Sequence, residues 1–350
     1  MSGPPPPAAI FVRLFRAGRP ESLHRGHLLA VRRGEVVAAA GDPRHLVFVR
    51  SAAKPVQALT GITSGAVEGF GMDDRCVAIS CASHMARPEH LAAAQAILDA
   101  ANVPQQALGC GGHYSFDPDI ARLQQAPPEG PPAIWSNCSG KHAMMLAAAR
   151  AMGAPLEHYT SPGHPVQRSI LADLLTLAHC GPDELVVAID GCSAPAPALP
   201  LDRFARVFQS LLEARRDEAH PLHDAASRVL RAMAAHPDLI AGPGRFDTDL
   251  MLAGKGRIVA KAGAEGVHIT LVPDEDLLIA AKVEDGIDRG YRGVIIALLE
   301  RLGVFDEATA TLLRTLHADP IIRNWAGEEV GALVVETPPV QAAPRTEPAV

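Results

Sequence analysis

The chain has 350 residues, of which 48% are hydrophobic and 20% charged, so it can bury a sizeable core and is not largely disordered. Its formal net charge of −7 argues against a nucleic-acid or anionic-membrane surface, and no apolar run is long enough to predict a membrane-spanning helix. The N-terminal segment lacks the pattern of a signal peptide, and six cysteines are too few for a disulfide scaffold. These features predict a cytoplasmic protein.

Strand signals occur near both ends of the chain. Residues 27–41 predict two short strands about a turn at Arg33-Gly34, and a third apolar run covers 46–49. Three further strand-like runs are joined by short turns, at 257–263, 266–272 and 276–283. Because short connections favour antiparallel neighbours, we expect both groups of strands to join in one sheet.

The middle of the chain is mostly helical. Apolar residues recur at helical spacing in four segments: 87–102, 139–153, 165–179 and 201–216. One strand, predicted to be buried, interrupts them at 185–190. A final helix is predicted at 290–303, after the last strands. The predicted fold class is α+β, or mixed α/β, with a sheet built from N- and C-terminal strands packed on a largely helical middle. Neither a G-x-G-x-x-G segment nor a P-loop is present, so no nucleotide or organic cofactor is predicted.

Lysine is rare in this chain. Lysine and arginine total 32 residues, but only five are lysines: Lys54, Lys141, Lys255, Lys261 and Lys282. Where any cation would serve, the chain uses arginine. Each lysine is therefore a candidate for a position that requires either an amine that can lose its proton or a compact point charge.

The segment VRSAAKPVQAL (49–59) places Ser51 and Lys54 at a strand-to-helix junction. Ser51 fits the cap of the following helix, and the two residues, three apart, would share one helix face. This S-x-x-K spacing is the one in which a lysine amine activates a serine hydroxyl, while backbone N–H groups at the helix start stabilise an oxyanion. The alternative for so short a pattern is a serine N-cap beside an exposed lysine.

Small polar residues are concentrated in the segment AISCASHMARPEH (78–90). A second hydroxyl near a nucleophilic serine relays protons in serine-lysine acyl enzymes, and Ser83 or Ser80 is a candidate for that role. The alternative is that these residues only form a turn and a helix cap.

Two cysteines in separate segments suggest a metal site. Cys138 lies in SNCSGKHAMML (136–146), and Cys192 follows the predicted strand in AIDGCSAP (188–195). Two thiolates favour zinc, and further ligands would come from His142, His84, Asp190, water or a neutral Lys141. The alternative is a pair of buried structural cysteines. The other four cysteines are interpreted as core residues: Cys76, Cys81, Cys110 and Cys180.

Lys261 lies on a predicted strand and is followed by Ala262 and Gly263. This resembles the Lys-hydroxyl-Gly strand of β-lactamases with alanine in place of the hydroxyl residue. A cation here would bind a substrate carboxylate or favour the neutral form of Lys54. Asp247 and Glu265, in Gly-rich surroundings, shape either the site or only the turns.

Taken in order, R-S-A-A-K-P, C-A-S-H, N-C-S-G-K-H-A, D-G-C and A-K-A-G-A-E-G-V resemble the bacterial, rhizobial-type L-asparaginase II family. The similarity runs from about residue 10 to 335. It implies a serine β-lactamase/glutaminase-like fold, hydrolysis of L-asparagine to L-aspartate and ammonia, and a homodimer. It also implies catalytic roles for Ser51, Lys54, Ser83 and Lys261, and a zinc site of Cys138, Lys141 and Cys192 beside Asp190. Our candidate substrate-binding residues are Arg50, His84, Asp190 and Glu265.

The resemblance also fixes the expected organisation. We interpret 10–336 as a single catalytic unit, with a sheet part (10–50 and 255–336) and a helical part (51–254). The Pro-rich segments 1–9 and 337–350 are interpreted as flexible tails.

Three positions depart from the usual family pattern. Met85-Ala86-Arg87 follow C-A-S-H where small residues are common, Ser193 replaces a common glycine, and Ser136 stands where histidine is frequent. The proposed nucleophile and ligands are unchanged, so these departures bear on substrate preference and turnover.

Two other functions compete with an asparaginase. One is a serine-lysine esterase or β-lactam hydrolase. The missing S-x-N motif and the alanine at position 262 argue against it. The other is a non-catalytic zinc- or amino-acid-binding protein, and the presence of the Ser51 and Lys54 pair argues against that function.

Overall fold

Two β-sheets of different size organise the structure, a computed structural model that describes residues 5–340. In chain order the strands are β1 (Ala9–Arg16), β2 (Arg19–Arg32), β3 (Glu35–Ala40), β4 (Leu46–Phe48), β5 (Val186–Ile189), β6 (Pro195–Pro200), β7 (Val259–Gly263), β8 (Val267–Val272), β9 (Leu277–Val283), β10 (Ile321–Arg323) and β11 (Glu329–Val335). The predicted tails fall partly on residues 1–4 and 341–350, outside the described residues, and the division into subdomains stays a prediction.

Thirteen helices accompany the strands within residues 5–340. They are α1 (Lys54–Thr63), α2 (Ala66–Gly69), α3 (Asp74–Ser80), α4 (Pro88–Ala100), α5 (Pro118–Leu123), α6 (Ser139–Ala151), α7 (Pro165–Ala178), α8 (Leu201–Arg216), α9 (His223–Ala235), α10 (Pro237–Ile240), α11 (Phe246–Ala253), α12 (Arg289–Arg301) and α13 (Glu307–His317). In the part of the chain that the structure describes, no helix is long and apolar enough to cross a membrane.

The large sheet joins the strands from both ends of the chain, as predicted. Its order is β10-β11-β1-β2-β9-β8-β7, and β3 pairs with the second half of the long β2. All these pairings are antiparallel. The predicted mixed α/β class, with a helical middle, is confirmed.

Helices cover both faces of the large sheet. Consecutive residues of a strand point to opposite faces, and all six residues of β8 are buried. Helix α8 repeats apolar residues at helical spacing, including Phe204, Phe208 and Leu211, and packs on β2 and β9. Helix α12 packs on β1, β2 and β9. The sheet is therefore a buried framework on which the chain ends and the helical middle meet.

The small sheet corrects two predictions. The apolar run at 46–49 does not join the large sheet but forms β4, in a three-stranded sheet of order β4-β6-β5. The strand predicted to be buried at 185–190 is β5, and all four of its residues are exposed. Because β5 pairs only with β6, it is an edge strand. The prediction was wrong because a short apolar run does not indicate whether other elements will pack over the strand.

Candidate active site

Ser51 lies in a tight 3₁₀ turn that links β4 to α1. The turn spans Arg50–Ala53, so Ser51 is not the N-cap of α1; that position is Ala53, and no side chain caps it. The prediction of a serine cap was therefore wrong. Side chains three residues apart eclipse one another in a 3₁₀ turn, so Ser51 and Lys54 still lie on the same side.

The backbone just before Ser51 is strained. Arg50 has a φ of +47°, a left-handed conformation that costs a non-glycine residue about 1–2 kcal/mol. Asp190 holds it there, accepting hydrogen bonds from Arg50 Nε at 3.2 Å and Nη2 at 2.8 Å. Burial opposes ionisation of Asp190, but the bond from Arg50 and the charge of Lys141 lower the pKa of its carboxyl. This ion pair therefore fixes the turn that presents Ser51.

Strand β7 passes so close to the turn that only glycine fits. A Cβ on Gly263 would lie 2.9 Å from the carbonyl oxygen of Val49 and 3.2 Å from the amide nitrogen of Ala52. The K-A-G segment of the sequence thus brings Lys261 beside Ser51 through a close backbone contact.

Lys54 is fully buried, with its amine between two loops. Its Nζ lies 2.5 Å from the Ala82 carbonyl oxygen, 3.0 Å from Ser83 Oγ and 3.4 Å from the Asn137 carbonyl oxygen. A neutral amine donates two hydrogen bonds and accepts one. The two carbonyls can take both N–H groups, which leaves the nitrogen lone pair for a hydroxyl.

Of the two hydroxyls considered as relays, Ser83 is the one that contacts Lys54. Ser80 lies on α3 and donates to the Val77 carbonyl at 2.6 Å, as an ordinary helix serine does. The backbone N–H of Lys54 donates to the Ser51 carbonyl, but within residues 5–340 no hydrogen bond joins Ser51 Oγ to Lys54 Nζ.

Lys261 sits in the same buried cluster. Its Nζ donates to the Ala262 carbonyl at 2.7 Å and lies 3.8 Å from Asp247 Oδ2. The pKa of Lys261 is lowered to about 8, because burial and the charge of Lys54 together outweigh the opposing effects of Asp247, Cys138 and Cys81. A second cation next to Lys54 is what a neutral lysine base requires.

Sequence reasoning did not find the groups that anchor Asp247. Its carboxylate, on α11, accepts a bond from the Ala262 N–H at 2.7 Å and lies 3.0 Å from Nε2 of buried His268. Burial disfavours the charge, but His268 and Lys261 keep the pKa of Asp247 well below its usual range. His268 in turn contacts Thr270 at 3.2 Å, so an anchored carboxylate supports Lys261.

Cys138, Lys141 and Cys192 come together at the start of α6. Lys141 Nζ donates to Cys192 Sγ at 3.1 Å, and all three side chains are buried. A hydrogen bond from Cys192 and the charges of Lys54 and Lys141 lower the pKa of Cys138, against the effect of burial. That same bond and burial raise the pKa of Cys192. The charges of Cys138 and Cys192 in turn raise the pKa of Lys141 despite its burial.

This donor set fits a zinc ion. Two ligands of tetrahedral zinc, one sulfur and one nitrogen, lie about 3.5 Å apart, close to the separation of Cys192 and Lys141 here. In the described part of the chain, no group of three or more His, Cys, Asp and Glu side chains is arranged to hold a metal. A third protein ligand would therefore have to be the Lys141 amine.

Of the histidines considered as ligands, His84 has both ring nitrogens engaged elsewhere, whereas the buried Nε2 of His142 has no hydrogen-bond partner among the described residues. Nε2 of buried His84 lies 2.9 Å from Ser139 Oγ, and its Nδ1 accepts from the Ala86 N–H at 3.1 Å. Nδ1 of His142 lies 2.6 Å from the Tyr159 hydroxyl. Contact between His84 and a substrate would require one of its ring nitrogens to leave its present partner.

A cavity of about 260 Å³ adjoins the Ser51 turn. Its polar lining comes from Arg50, Glu265 and Lys282, and the rest is apolar and includes Phe48 and Ile189. Glu265 occupies a left-handed position in the β7–β8 turn, and its carbonyl accepts a bond from Lys282 Nζ at 2.5 Å. The cavity thus combines two cations, one carboxylate and an apolar wall.

Two of the departures from the family pattern have visible consequences. Ser193 has a φ of +69°, a conformation that favours the glycine common at this position. Ser136 is buried, and its Oγ accepts a bond from the Cys138 N–H at 3.3 Å, so it supports the cysteine loop directly.

Comparison with known proteins identifies the family. Residues 12–335 match the family model described as L-asparaginase II. No match was found among proteins with curated annotation. A β-lactamase from Mycobacterium bovis is 13% identical, over 83% of this chain and 95% of that one, with a TM-score of 0.39. A putative β-lactamase from Bacteroides dorei is also 13% identical, over 74% and 84%, with a TM-score of 0.38. An octameric penicillin-binding protein homologue from Pyrococcus abyssi is 14% identical, over 79% and 73%, with a TM-score of 0.40.

The family match covers nearly the whole folded part of the chain and includes every motif of the cluster around Ser51. The chain belongs to the L-asparaginase II family and is an amide-hydrolysing enzyme.

Proposed function

We propose that the protein hydrolyses L-asparagine to L-aspartate and ammonia through an acyl-enzyme on Ser51. The observation that carries the proposal is the buried amine of Lys54, placed between two carbonyls and the Ser83 hydroxyl on the side of the turn that presents Ser51. A lysine that is fully buried without a carboxylate partner is costly unless it acts as a neutral amine.

The first half-reaction transfers the aspartyl group to the enzyme. Lys54 takes the hydroxyl proton of Ser51, and the oxygen attacks the side-chain amide carbon of asparagine. The Ser51 N–H, which has no acceptor among the described residues, is available to stabilise the oxyanion. The proton then passes from Lys54 through Ser83 to the departing ammonia. Water cleaves the aspartyl ester in the second half-reaction, with Lys54 again accepting a proton.

The adjoining cavity suits the other end of an amino acid. Arg50 and Lys282 offer positive charge for an α-carboxylate, and Glu265 offers negative charge for an α-ammonium group. Asp190 acts through Arg50, which it orients. Glutamine is one methylene longer than asparagine, and a tight pocket can disfavour the extra methylene by about 1–3 kcal/mol.

Lys261 supplies the charge that favours a neutral Lys54, and this gives a pH prediction. The pKa of about 8 at Lys261 is lowered partly by the charge of Lys54, so it describes the first proton lost from two neighbouring amines that are both charged. The active pair has one neutral and one charged amine, so we expect kcat/KM to rise as pH increases through this value. In Lys261→Met, Lys54 has no ammonium group beside it, so the acid limb should move to higher pH. A pH–rate profile measures both effects. An unchanged acid limb in the variant would remove Lys261 from this role.

Zinc held by Cys138, Lys141 and Cys192 would tie the loop before α6 to the loop after β5. When bound, it would order this wall of the pocket, while Ser51 remains the nucleophile. The donor set and the family resemblance support this assignment.

We expect Cys192→Ser to lower the zinc content of purified protein well below one ion per chain and to reduce kcat only partly. Metal analysis and thermal unfolding, with and without added zinc, measure the first effect. The control is Cys180→Ser, because Cys180 is partly exposed and lies outside this cluster. Equal zinc content in the two variants would exclude the proposed ligand.

Ammonia release from L-asparagine tests the proposed reaction directly. Nitrocefin and a short-chain nitrophenyl ester, assayed beside it, test the alternatives of a β-lactam hydrolase and an esterase. Hydrolysis of either alternative substrate without ammonia release from asparagine would replace the proposal. Binding of asparagine without turnover of any of the three would favour the non-catalytic alternative.

The homodimer also remains a proposal, supported by the family resemblance. The surface that a second copy would cover is the exposed apolar face of the small sheet that Leu46, Phe48 and Val186 share. Light scattering should give twice the mass of one chain. The mass of a single chain at micromolar concentration would contradict it.

A further inference from the structure

A second cleft, of about 690 Å³, lies at the opposite end of β7 from Gly263. The end of α8, one side of α9, the segment before β7 and the turn after β8 form its walls. Its volume is within the range of about 300–1,000 Å³ that is typical of small-molecule sites. None of the residues proposed for catalysis or zinc binding lines it.

The cleft carries an excess of positive charge in a chain that is negative overall. Arg215, Arg216, Arg231 and Arg257 line it. The carboxylates that pair with them are Asp274, Asp276 and Asp74, and Asp74 also pairs with Arg228 outside the cleft lining. Four like charges in one cleft repel one another unless anions compensate them. The free protein provides only partial compensation, which leaves an excess of positive charge that an anionic ligand would neutralise.

The existing ion pairs leave most of the guanidinium donors available. Arg215 contacts Asp274 at 2.8 Å, and Arg231 contacts Asp74 at 3.3 Å. Arg216 contacts the buried Asp276 at 3.0 Å. Arg257 donates to the Val304 carbonyl at 3.2 Å, and within residues 5–340 it has no carboxylate within 4.0 Å. Each guanidinium carries five N–H donors, so the cleft retains several for a ligand.

The remaining lining of the cleft is apolar. Leu230 and Ala234 of α9, Val259 at the start of β7 and Pro273 provide it. An inorganic ion would fill only a fraction of this space and would leave the apolar wall uncovered. The ligand that fits both parts has an anionic group for the arginines and an apolar or aromatic body.

We propose that this cleft binds an organic phosphate of the size of a nucleoside diphosphate. The planar fork of arginine matches phosphate oxygens in pairs, and a diphosphate carries enough charge to engage more than one of the four arginines. The base would lie on the apolar wall. This site is separate from the proposed asparaginase reaction, and its occupancy does not depend on that reaction.

Isothermal titration calorimetry with ADP tests the proposal on the full chain without asparagine. We expect saturable binding at one site per chain, with adenosine and inorganic pyrophosphate each binding more weakly than ADP. Arg257→Gln should weaken ADP binding about tenfold or more, the usual effect of losing a charge-assisted hydrogen bond. Ser227→Asp, which places a carboxylate in the cleft wall, should weaken it as well.

The matched control is Arg122→Gln, which removes the same charge from an exposed position on α5. We expect it to bind ADP as the unmodified protein does. Absence of saturable ADP binding would overturn the proposal, as would equal weakening by Arg122→Gln and Arg257→Gln or equal affinity for adenosine and ADP. Circular dichroism and thermal unfolding of each variant establish that its fold is retained.

Discussion

Ser51→Ala should lower kcat for ammonia release from L-asparagine by about 10⁴-fold or more, because groups that act as one catalytic unit lose most of their effect when the nucleophile is removed. Asparagine binding should change little, since Arg50, Lys282 and Glu265 remain in place. Steady-state kinetics give the first quantity, and calorimetric titration of the inactive variant gives the second.

The control for this variant is Ser80→Ala. Ser80 is a buried serine whose hydroxyl donates to the Val77 carbonyl within α3 and does not contact Lys54. We expect Ser80→Ala to remain active. Full activity in Ser51→Ala would show that the nucleophile is another group.

Lys54→Met should produce the second largest loss, about 10²–10⁴-fold in kcat, which is the usual contribution of a general base. The methionine has a similar length but can neither accept the Ser51 proton nor contact Ser83. Because the carbonyls of Ala82 and Asn137 lose their donor, we also expect a lower unfolding temperature, by an amount equivalent to about 1–3 kcal/mol per unsatisfied group.

Thermal unfolding must therefore accompany the kinetics of Lys54→Met, so that rates are compared only where the variant is folded. Lys255→Met is the control, because Lys255 is exposed and lies outside the Ser51 cluster. A folded Lys54→Met enzyme with near-normal kcat would contradict the assignment of Lys54 as the base.

The rarity of lysine proved to be an informative sequence feature. Lys54, Lys141 and Lys261 are all buried in one cluster, Lys282 lines the adjoining cavity, and Lys255 is exposed. Arginine does not lose its proton in proteins, so a buried position whose role requires a neutral amine has to keep lysine. Composition thus indicated which residues supply the cations of the site, but it did not predict which groups they contact.

Local patterns predicted the strands and helices that begin or end at the site, whereas long-range contacts had to come from the structure. The S-x-x-K spacing correctly predicted that Ser51 and Lys54 lie on the same side, although Ser51 is in a 3₁₀ turn. An α-helix and a 3₁₀ turn both place residues three apart on one side. Nothing near Asp247 in sequence indicates His268, which reaches it from β8. The exposure of β5 could not be predicted from its sequence either, because it depends on whether other strands and helices pack against β5 in the fold.

Trapping the acyl-enzyme tests the central claim most directly. The protein is mixed with L-asparagine, quenched in acid within one turnover, digested and analysed by mass spectrometry. We expect the mass gain of one aspartyl group on the peptide that contains Ser51, and no such gain in Ser51→Ala. An aspartyl group on a different peptide, or undiminished labelling in Ser51→Ala, would contradict it.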